Sequence, residues 1–318
     1  MRYGRLLVCV LIVLVGLSAR AQVAERPSWG EGELLDYALV VRTSITGTSA
    51  VEHLEQRYML RLEIRGVDDD GMILVGGRVF DARVERSSGD GSDERFEMLA
   101  GFSDEGAFEL SGDDGGAWGD ALEALLHTEF VVLCVSDGQI VQLSGLDRPL
   151  GMLDGIPDGL RLFGALRPEV LASHLEPVFT LDGGFGHEGT SWESRSETRV
   201  GDGRQLVRAY RWERSGDGSY EGAIDASLET IGTLGDLSPR GTLDAYEGEA
   251  SLRVDEFGLR ERTQIESMAF LWRVDSIEVA SGVESRHELR RLESGVPALP
   301  EAVRAPDRSQ TLRMGDEQ

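Results

Sequence analysis

The stretch Tyr58-Met59-Leu60-Arg61-Leu62-Glu63-Ile64-Arg65 decides the fold class, because apolar side chains return at every second position. A β-strand points successive side chains to opposite faces, so this alternation predicts a strand with one apolar and one charged face. Such a strand is typical of an antiparallel sheet that has water on its second face.

The same alternation recurs along most of the chain. It continues between residues 34 and 86 and resumes from about residue 190 to about residue 292. Between the runs lie turn clusters rich in Asp and Gly, at residues 68–71, 89–92, 136–138, 201–203 and 216–218. Asp-Gly pairs favour tight turns because both residues tolerate positive φ angles. We therefore predict a mainly β fold of antiparallel sheets, and the order of the strands suggests two similar halves as a conjecture.

The middle of the chain has a helical periodicity instead. Residues 119–128 place apolar side chains three and four positions apart, with Asp120 as a candidate cap. Residues 158–175 do the same, and Pro168 suits the first turn of a helix. These patterns predict one or two short helices in the middle of the chain.

The N-terminus has the features of a secretory signal peptide. Arg2 and Arg5 precede an apolar run over residues 6–17, and Ala19-Arg20-Ala21 follows as a small-residue cleavage site. The apolar run is too short to cross a bilayer comfortably. We therefore expect residues 1–21 to be removed, which predicts an exported protein (periplasm, cell surface or secreted) with no transmembrane segment after cleavage.

Composition divides the rest of the chain into four portions. We predict an N-terminal antiparallel β portion over residues 22–145, a helical and loop connection over 146–188, and a C-terminal antiparallel β portion over 189–294. Residues 295–318 contain three of the nine prolines and few large apolar groups. This composition predicts a disordered tail.

Charge and composition exclude several functions. The chain has 57 acidic and 32 basic residues and a net charge of −25, and it contains neither lysine nor asparagine. Without lysine there is no Schiff base to a cofactor, no phosphate-binding P-loop and no kinase lysine. Nucleic acid is not an expected partner, because binding it requires a cationic surface.

Sequence motifs predict no cofactor and no metal site. Residues 184–189 fit the pattern G-x-G-x-x-G, but they lead into a predicted strand rather than the helix that a dinucleotide site needs. The histidines lack the spacing of metal ligands. Cys134 lies in an apolar run, which predicts a buried thiol that acts as a small hydrophobic group.

Aromatic residues supply the candidate binding site. Tyr210 and Trp212 share one face of a predicted strand, and Trp192 lies on the strand before it. These three residues are the candidate ligand-binding residues, and the alternative is that they fill the core. In the run 268–272, Met-Ala-Phe-Leu-Trp, both faces are apolar, so this segment is either buried on both sides or faces a ligand or partner.

The chain resembles a family of exported bacterial β-rich proteins that is known as a domain of unknown function. The resemblance spans roughly residues 30–293 and rests on three short segments. These are Val67-Asp68-Asp69-Asp70-Gly71, the strand–turn–strand segment over residues 135–145, and Gly189-Thr190-Ser191-Trp192. It implies a β-rich fold outside the cytoplasm and no established activity. A looser architectural likeness is to the half-barrels that carry lipids or lipoproteins through the periplasm.

These observations favour a non-enzymatic exported protein that binds an apolar small molecule or an envelope protein. Two alternatives from other classes stay open. One is a secreted hydrolase whose carboxylates are brought together by the fold, and the other is a surface protein stabilised by calcium bound at acidic turns such as those at residues 68–71 and 90–94.

Overall fold

A single antiparallel sheet of thirteen strands forms most of the structure. The computed structural model describes residues 29–47, 51–68, 71–89, 95–103, 106–112, 115–136, 138–179, 191–199, 204–216, 218–230, 240–255, 258–274 and 277–292. The mainly β fold expected from the alternation is thereby confirmed. The predicted signal peptide and the predicted disordered tail lie outside the described residues.

The strands are long and follow one another as hairpins. They are β1 (Leu34–Thr46), β2 (Val51–Val67), β3 (Ile73–Ser88), β4 (Arg95–Phe102), β5 (Phe108–Gly112), β6 (Glu129–Cys134), β7 (Ile140–Ser144), β8 (Ser191–Arg199), β9 (Arg204–Gly216), β10 (Ser219–Thr230), β11 (Arg240–Asp255), β12 (Gly258–Val274) and β13 (Ile277–Arg291). Their order in the sheet is β5-β4-β3-β2-β1-β13-β12-β11-β10-β9-β8, and β6 pairs with β3 and β7.

The first and the last strand lie side by side at the centre of this order. Strand β1 pairs with β13 in a register that runs from Tyr37 opposite Arg291 to Thr46 opposite Gly282. Strands of the two predicted β portions therefore belong to one sheet. The portion boundaries drawn from composition stay a prediction.

The alternation in the sequence corresponds to an inner and an outer face. On β2, Tyr58, Leu60, Leu62 and Ile64 are fully buried on the inner face, while the charged residues between them lie on the outer face. Tight turns join the strands, and Gly218 in one of them has φ of 66°. A Cβ atom at Gly218 would lie 2.4 Å from the carbonyl oxygen of Val254, so this turn requires glycine.

Four α-helices lie in the middle of the chain: α1 (Gly115–His127), α2 (Asp147–Asp154), α3 (Gly159–Leu162) and α4 (Pro168–Phe179). A 3-10 turn over Gly164–Leu166 separates α3 from α4. Helix α4 begins at Pro168, where the fixed φ of proline suits the first turn. The candidate cap at Asp120 is wrong, because α1 begins at Gly115 and Asp120 lies inside it.

The helices contact strands of both predicted β portions. Helix α1 contacts β3, β4 and β5, whereas α4 contacts β7, β8 and β12. The rings of Tyr58 and Trp118 both lie against the ring of Phe163, at centroid distances of 6.3 and 5.9 Å. The buried Gln56 side chain accepts a hydrogen bond from the amide of Ala165, which fixes the 3-10 turn to β2.

The cysteine prediction is confirmed. Cys134 is a free, fully buried thiol on the inner face of β6. Burial raises the pKa of this thiol to about 12, and the nearby Glu176 adds to the effect. A thiol held in its protonated form is a poor nucleophile, so its role is to fill space.

Two glycines let side chains lie directly on the backbone of β3. The ring of Phe130 covers the inner side of Gly77, and a Cβ atom there would lie 2.1 Å from a ring carbon. The guanidinium group of Arg65 covers Gly76 in the same way, with a Cβ distance of 2.6 Å. A methyl group at Gly77 would displace a ring that is itself completely buried.

We therefore expect Gly77→Ala to lower the free energy of unfolding by about 2–3 kcal/mol, the usual cost of forcing extra volume into a packed core. The matched control is Gly66→Ala on the neighbouring strand β2, because a Cβ atom at Gly66 meets nothing within 4 Å. Urea unfolding of the protein purified after export measures both variants. Equal losses would show that the close contact at Gly77 does not limit stability.

Candidate functional site

The inner face of strands β9–β13 is divided into three bands that run obliquely across the strands. A deep apolar band is buried, a polar band adjoins it, and a rim band of apolar side chains ranges from buried to half-buried. The deep band consists of Tyr210, Trp212, Tyr220, Ile224, Leu252 and Leu289. The polar band consists of Arg208, Tyr246, Arg262, Gln264, Glu266, Ser285 and His287. The rim band consists of Leu206, Leu228, Leu243, Met268, Phe270 and Val283.

Two of the three candidate ligand-binding residues belong to the deep band. The rings of Tyr210 and Trp212 are stacked, with centroids 5.6 Å apart and planes inclined by 6°. Both side chains are buried, and the Trp212 ring lies over Gly222, which has no side chain to displace it. Trp192 pairs with Trp212 across β8 and β9, but its side chain lies outside the described residues. The role of the three residues in ligand binding stays a prediction.

A buried ion pair is the centre of the polar band. The Arg208 guanidinium donates to both carboxylate oxygens of Glu266, at 2.5 and 3.3 Å, and Glu266 is completely buried. The hydroxyl group of Tyr246 donates to the same carboxylate at 2.5 Å. Burial alone would raise the pKa of Glu266, but Arg208 and Tyr246 outweigh burial and hold this pKa below its ordinary value. Glu266 is therefore ionised at neutral pH.

A second arginine in the polar band is bound by neutral groups. Arg262 donates to the side-chain oxygen of Gln264 at 2.5 Å and to the carbonyl oxygen of Ser173 on α4 at 3.2 Å. Its guanidinium group also lies over the ring of Tyr210, 5.8 Å from the centroid. In the described chain no carboxylate lies within ion-pair distance of Arg262, and only 9% of the residue is exposed.

Two histidines meet beside these arginines. His174 on α4 and His287 on β13 have ring centroids 5.0 Å apart. The Nε2 atom of His287 lies 3.1 Å from the Ser285 hydroxyl group and 3.8 Å from a Glu266 oxygen. In the described part of the chain, Nε2 of His174 and Nδ1 of His287 are buried without a hydrogen-bond partner. Buried polar atoms are normally paired, so these two nitrogens mark a position where a further polar group fits.

Both imidazoles are held neutral by their surroundings. Burial lowers the pKa of His287 from 6.5 to about 4. The negative charge of Glu266 acts to raise this pKa, and the positive charges of Arg208 and Arg262 act to lower it. Burial also lowers the pKa of His174 well below its ordinary value, with further contributions from His287, Arg262 and Arg208. At neutral pH the charges that act on this pair are therefore those of Arg208, Arg262 and Glu266.

The rim band lies where two strands separate. Strands β10 and β11 pair only from Ser219 opposite Arg253 to Ile224 opposite Gly248 among the described residues. Beyond this point β10 continues to Thr230 without ladder bonds to β11. Leu228 and Leu243 lie on the two strands in this separated region, and both are half-buried.

Two hollows lie on the outer face. One has a volume of about 980 Å³ over β9–β12, with exposed charged residues such as Glu213, Glu221 and Glu249 around small side chains such as Ala223. The other has a volume of about 260 Å³ and contains Ser44 and His53. Their hydroxyl oxygen and Nδ1 atom are 2.8 Å apart, which is the contact of a nucleophile with its base. Among the described residues no carboxylate holds the other nitrogen of His53, so the orienting group of a catalytic triad is missing.

The structure describes only part of the acidic turns that were considered for calcium. No group of three or more His, Cys, Asp or Glu side chains in the described ranges is arranged to hold a metal ion. Of the acidic turns considered for calcium, Asp68 is described, and its carboxylate accepts a hydrogen bond from the amide of Met72 in the same turn. Residues 69–70 and 90–94 lie outside the described residues, as does the glycine-rich stretch 184–189.

One sequence signal indicates the polar band. On β12 the inner-face positions are Arg262, Gln264, Glu266 and Met268, in that order. Polar side chains therefore occupy inner-face positions that are apolar on other strands. The two histidines show no such signal, because they are far apart in sequence and meet only through the docking of α4.

Comparisons with known proteins identify no family. No protein-family model matches the sequence, and no curated protein matches it. Within the described ranges, we find no α-helix with the length and hydrophobicity that a membrane span requires.

Solved structures share parts of the sheet at low similarity. A lipovitellin structure concerned with lipid–protein interactions aligns with 87% of this chain at 9% identity and a TM-score of 0.45, and the chain spans only 27% of its length. DynF from the dynemicin pathway of Micromonospora chersina aligns with 87% of this chain and 88% of its own, at 8% identity and a TM-score of 0.21. OccK5 of Pseudomonas aeruginosa aligns with 83% of this chain and 99% of its own, at 6% identity and a TM-score of 0.23. All three TM-scores are below 0.5, so these likenesses indicate no function.

The ion pair of Arg208 with Glu266 leads to a stability prediction. Glu266→Gln leaves the buried Arg208 without its counter-charge, so we expect a loss of about 3–5 kcal/mol in the free energy of unfolding. The control is Asp225→Asn, which breaks the Arg211–Asp225 pair, whose side chains are 62% and 73% exposed. An exposed pair contributes about 0.5 kcal/mol or less. Urea unfolding at pH 7 compares the two, and similar losses would contradict the importance of burial.

The histidine pair leads to a pH prediction. Because the pKa of His287 is lower in the folded than in the unfolded chain, protons bind preferentially to the unfolded chain between pH 6.5 and about 4. Stability is therefore fully present above pH 6.5 and is lost as the pH falls towards 4. The displacement from 6.5 to about 4 corresponds to about 3 kcal/mol.

We expect His287→Gln to remove about this much of the acid-induced loss, measured as the difference between unfolding free energies at pH 7 and pH 4. His53→Gln is the control, because His53 is exposed. If the wild-type chain and His287→Gln lose equal stability over this interval, His287 is not held neutral by burial.

Proposed function

We propose that this protein is a non-enzymatic binding module that holds an apolar ligand against the inner face of strands β9–β13. The observation that carries the proposal is the rim band. Half-buried Leu228 and Leu243 face the interior where β10 and β11 separate, and Met268, Phe270 and Val283 continue the apolar surface. Apolar side chains that converge on a concave surface next to a few polar groups are typical of ligand sites.

The stacked rings of Tyr210 and Trp212 are the second feature that supports this proposal. Tyr210 and Trp212 are rigid and buried, so they support the floor of the inner face rather than moving with a ligand. Trp192 pairs with Trp212 on the neighbouring strand, and the proposal includes it among the ligand-binding residues. In this proposal the ligand contacts the rim band first and the aromatic residues at the deepest end.

The proposed place of action is outside the cytoplasm, since the proposal keeps the predicted signal peptide. Outside the cytoplasm, such a module would bind an apolar molecule that is poorly soluble in water. An envelope protein is the other partner class that the sequence favours, and it would use the same apolar rim.

Native mass spectrometry tests the proposal directly. The protein is purified gently from an exporting host and weighed before and after organic extraction. An extractable mass of lipid size supports the proposal and identifies the class of ligand. A protein that carries no extractable mass and binds neither dodecanol nor another long-chain probe would overturn it.

A pair of variants on β10 locates the site. We expect Leu228→Glu to weaken dodecanol binding about tenfold or more, because it places a carboxylate in the apolar rim band. Ser227→Glu is the matched control, since Ser227 is the adjacent residue and is exposed on the outer face. Isothermal titration of dodecanol gives both dissociation constants, and equal weakening in the two variants would argue against binding at the inner face.

A further inference from the structure

The polar band has one positive charge in excess. Arg208 and Arg262 carry two positive charges, and Glu266 carries one negative charge. His174 and His287 are neutral at neutral pH. Because Arg262 is bound only by neutral oxygens in the described chain, nothing described there cancels its charge.

This excess is opposite in sign to the charge of the whole protein. The chain has a net charge of −25, and outer-face arginines pair with carboxylates, as Arg42 does with Glu55 and Glu288. Among the described residues of this acidic chain, no carboxylate lies within ion-pair distance of the buried Arg262. Buried charges in proteins are normally paired, so the excess indicates a negatively charged ligand.

The histidine pair provides hydrogen-bonding atoms for such a ligand. Nε2 of His174 and Nδ1 of His287 are both buried and lack a partner in the described part of the chain. His174 is 8% exposed, and its ring lies 5.0 Å from that of His287. A ring nitrogen that carries its proton can donate to an oxygen of the ligand.

The polar band is connected to the rim band along β13. The inner-face positions of this strand run His287, Ser285 and Val283, and Val283 lies opposite Met268 on β12. Ser285 has a small side chain, so an alkyl chain can pass over it between the histidines and the rim band. The path from His287 over Ser285 to Val283 covers two steps of about 7 Å each, because alternate residues of a strand are that far apart.

We infer that the polar band binds the head group of an amphiphile with a single negative charge, of which a long-chain carboxylate is the simplest. The head group accepts hydrogen bonds at His174 and His287 in the field of Arg262, and the alkyl tail lies over Ser285 on the rim band. One negative charge is expected because the band has one positive charge to match. The inference rests on the proposed function and adds the chemical class of the ligand.

Three probes with the same tail test the head group. Dodecanoate, dodecanol and dodecylammonium are titrated into the full chain at pH 8, below their micelle concentrations, where they are negative, neutral and positive. We expect dodecanoate to bind about tenfold or more tightly than dodecanol, as a charge-assisted hydrogen bond implies. We expect dodecylammonium to bind most weakly. Attraction to the negatively charged surface predicts the opposite order, so the two explanations are distinguishable.

A histidine variant locates the preference. His287→Leu removes the ring nitrogen, so we expect the advantage of dodecanoate over dodecanol to fall about tenfold. The matched control is His53→Leu, because His53 is exposed on the outer face and should leave the preference unchanged. If His287→Leu fails to fold, the titrations of the three probes into the wild-type chain still test whether a negatively charged head group is preferred.

The outcomes separate the two proposals. Equal affinity for dodecanoate and dodecanol, or tighter binding of dodecylammonium, overturns the inference and leaves the proposed function standing. No binding of any of the three probes overturns both. A preference for dodecanoate that His287→Leu and His53→Leu leave equally intact also overturns the inference, because the head group would then bind elsewhere.

Discussion

The pairing of β1 with β13 is the contact on which the rest of the structure depends. It brings together strands from the two ends of the described chain and makes one sheet from what would otherwise be two. Tyr37 strengthens the connection, because its buried hydroxyl group donates to the carbonyl oxygen of Leu259 at the start of β12. Helix α4 contacts β7 on one side of this pairing and β8 and β12 on the other, and it places His174 against His287.

The two parts of the inner face differ in what covers them. Helices and the rings of Trp118 and Phe163 fill the N-terminal part, so its side chains form a conventional core. Over β9–β13 the deep band belongs to the same core, and a buried ion pair, two neutral imidazoles and a half-buried apolar rim lie beside it. Buried charge is costly where apolar packing would be stable, and the proposed ligand site gives this polar band a role other than stability. The contrast supports the placement of the proposed site in the C-terminal part.

Much of the fold could be predicted from alternation, while the candidate site could not. Tyr58, Leu60, Leu62 and Ile64 lie on one buried face as their spacing indicates, because side-chain direction in a strand depends on local geometry alone. The aromatic pair Tyr210 and Trp212 was likewise visible as neighbours on one face. The meeting of His174 with His287 was not visible, because it depends on where α4 docks on the sheet.

Short-range pattern and composition are sufficient to predict the class of fold, the positions of the turns, the burial of Cys134 and the strongly negative charge. The strand order, the pairing of β1 with β13 and the separation of β10 from β11 become visible only in the folded protein. The same is true of the buried band that Arg208, Arg262 and Glu266 share. The physical reason is that strand partners and buried charges are chosen by contacts between residues far apart in sequence, which local periodicity does not encode.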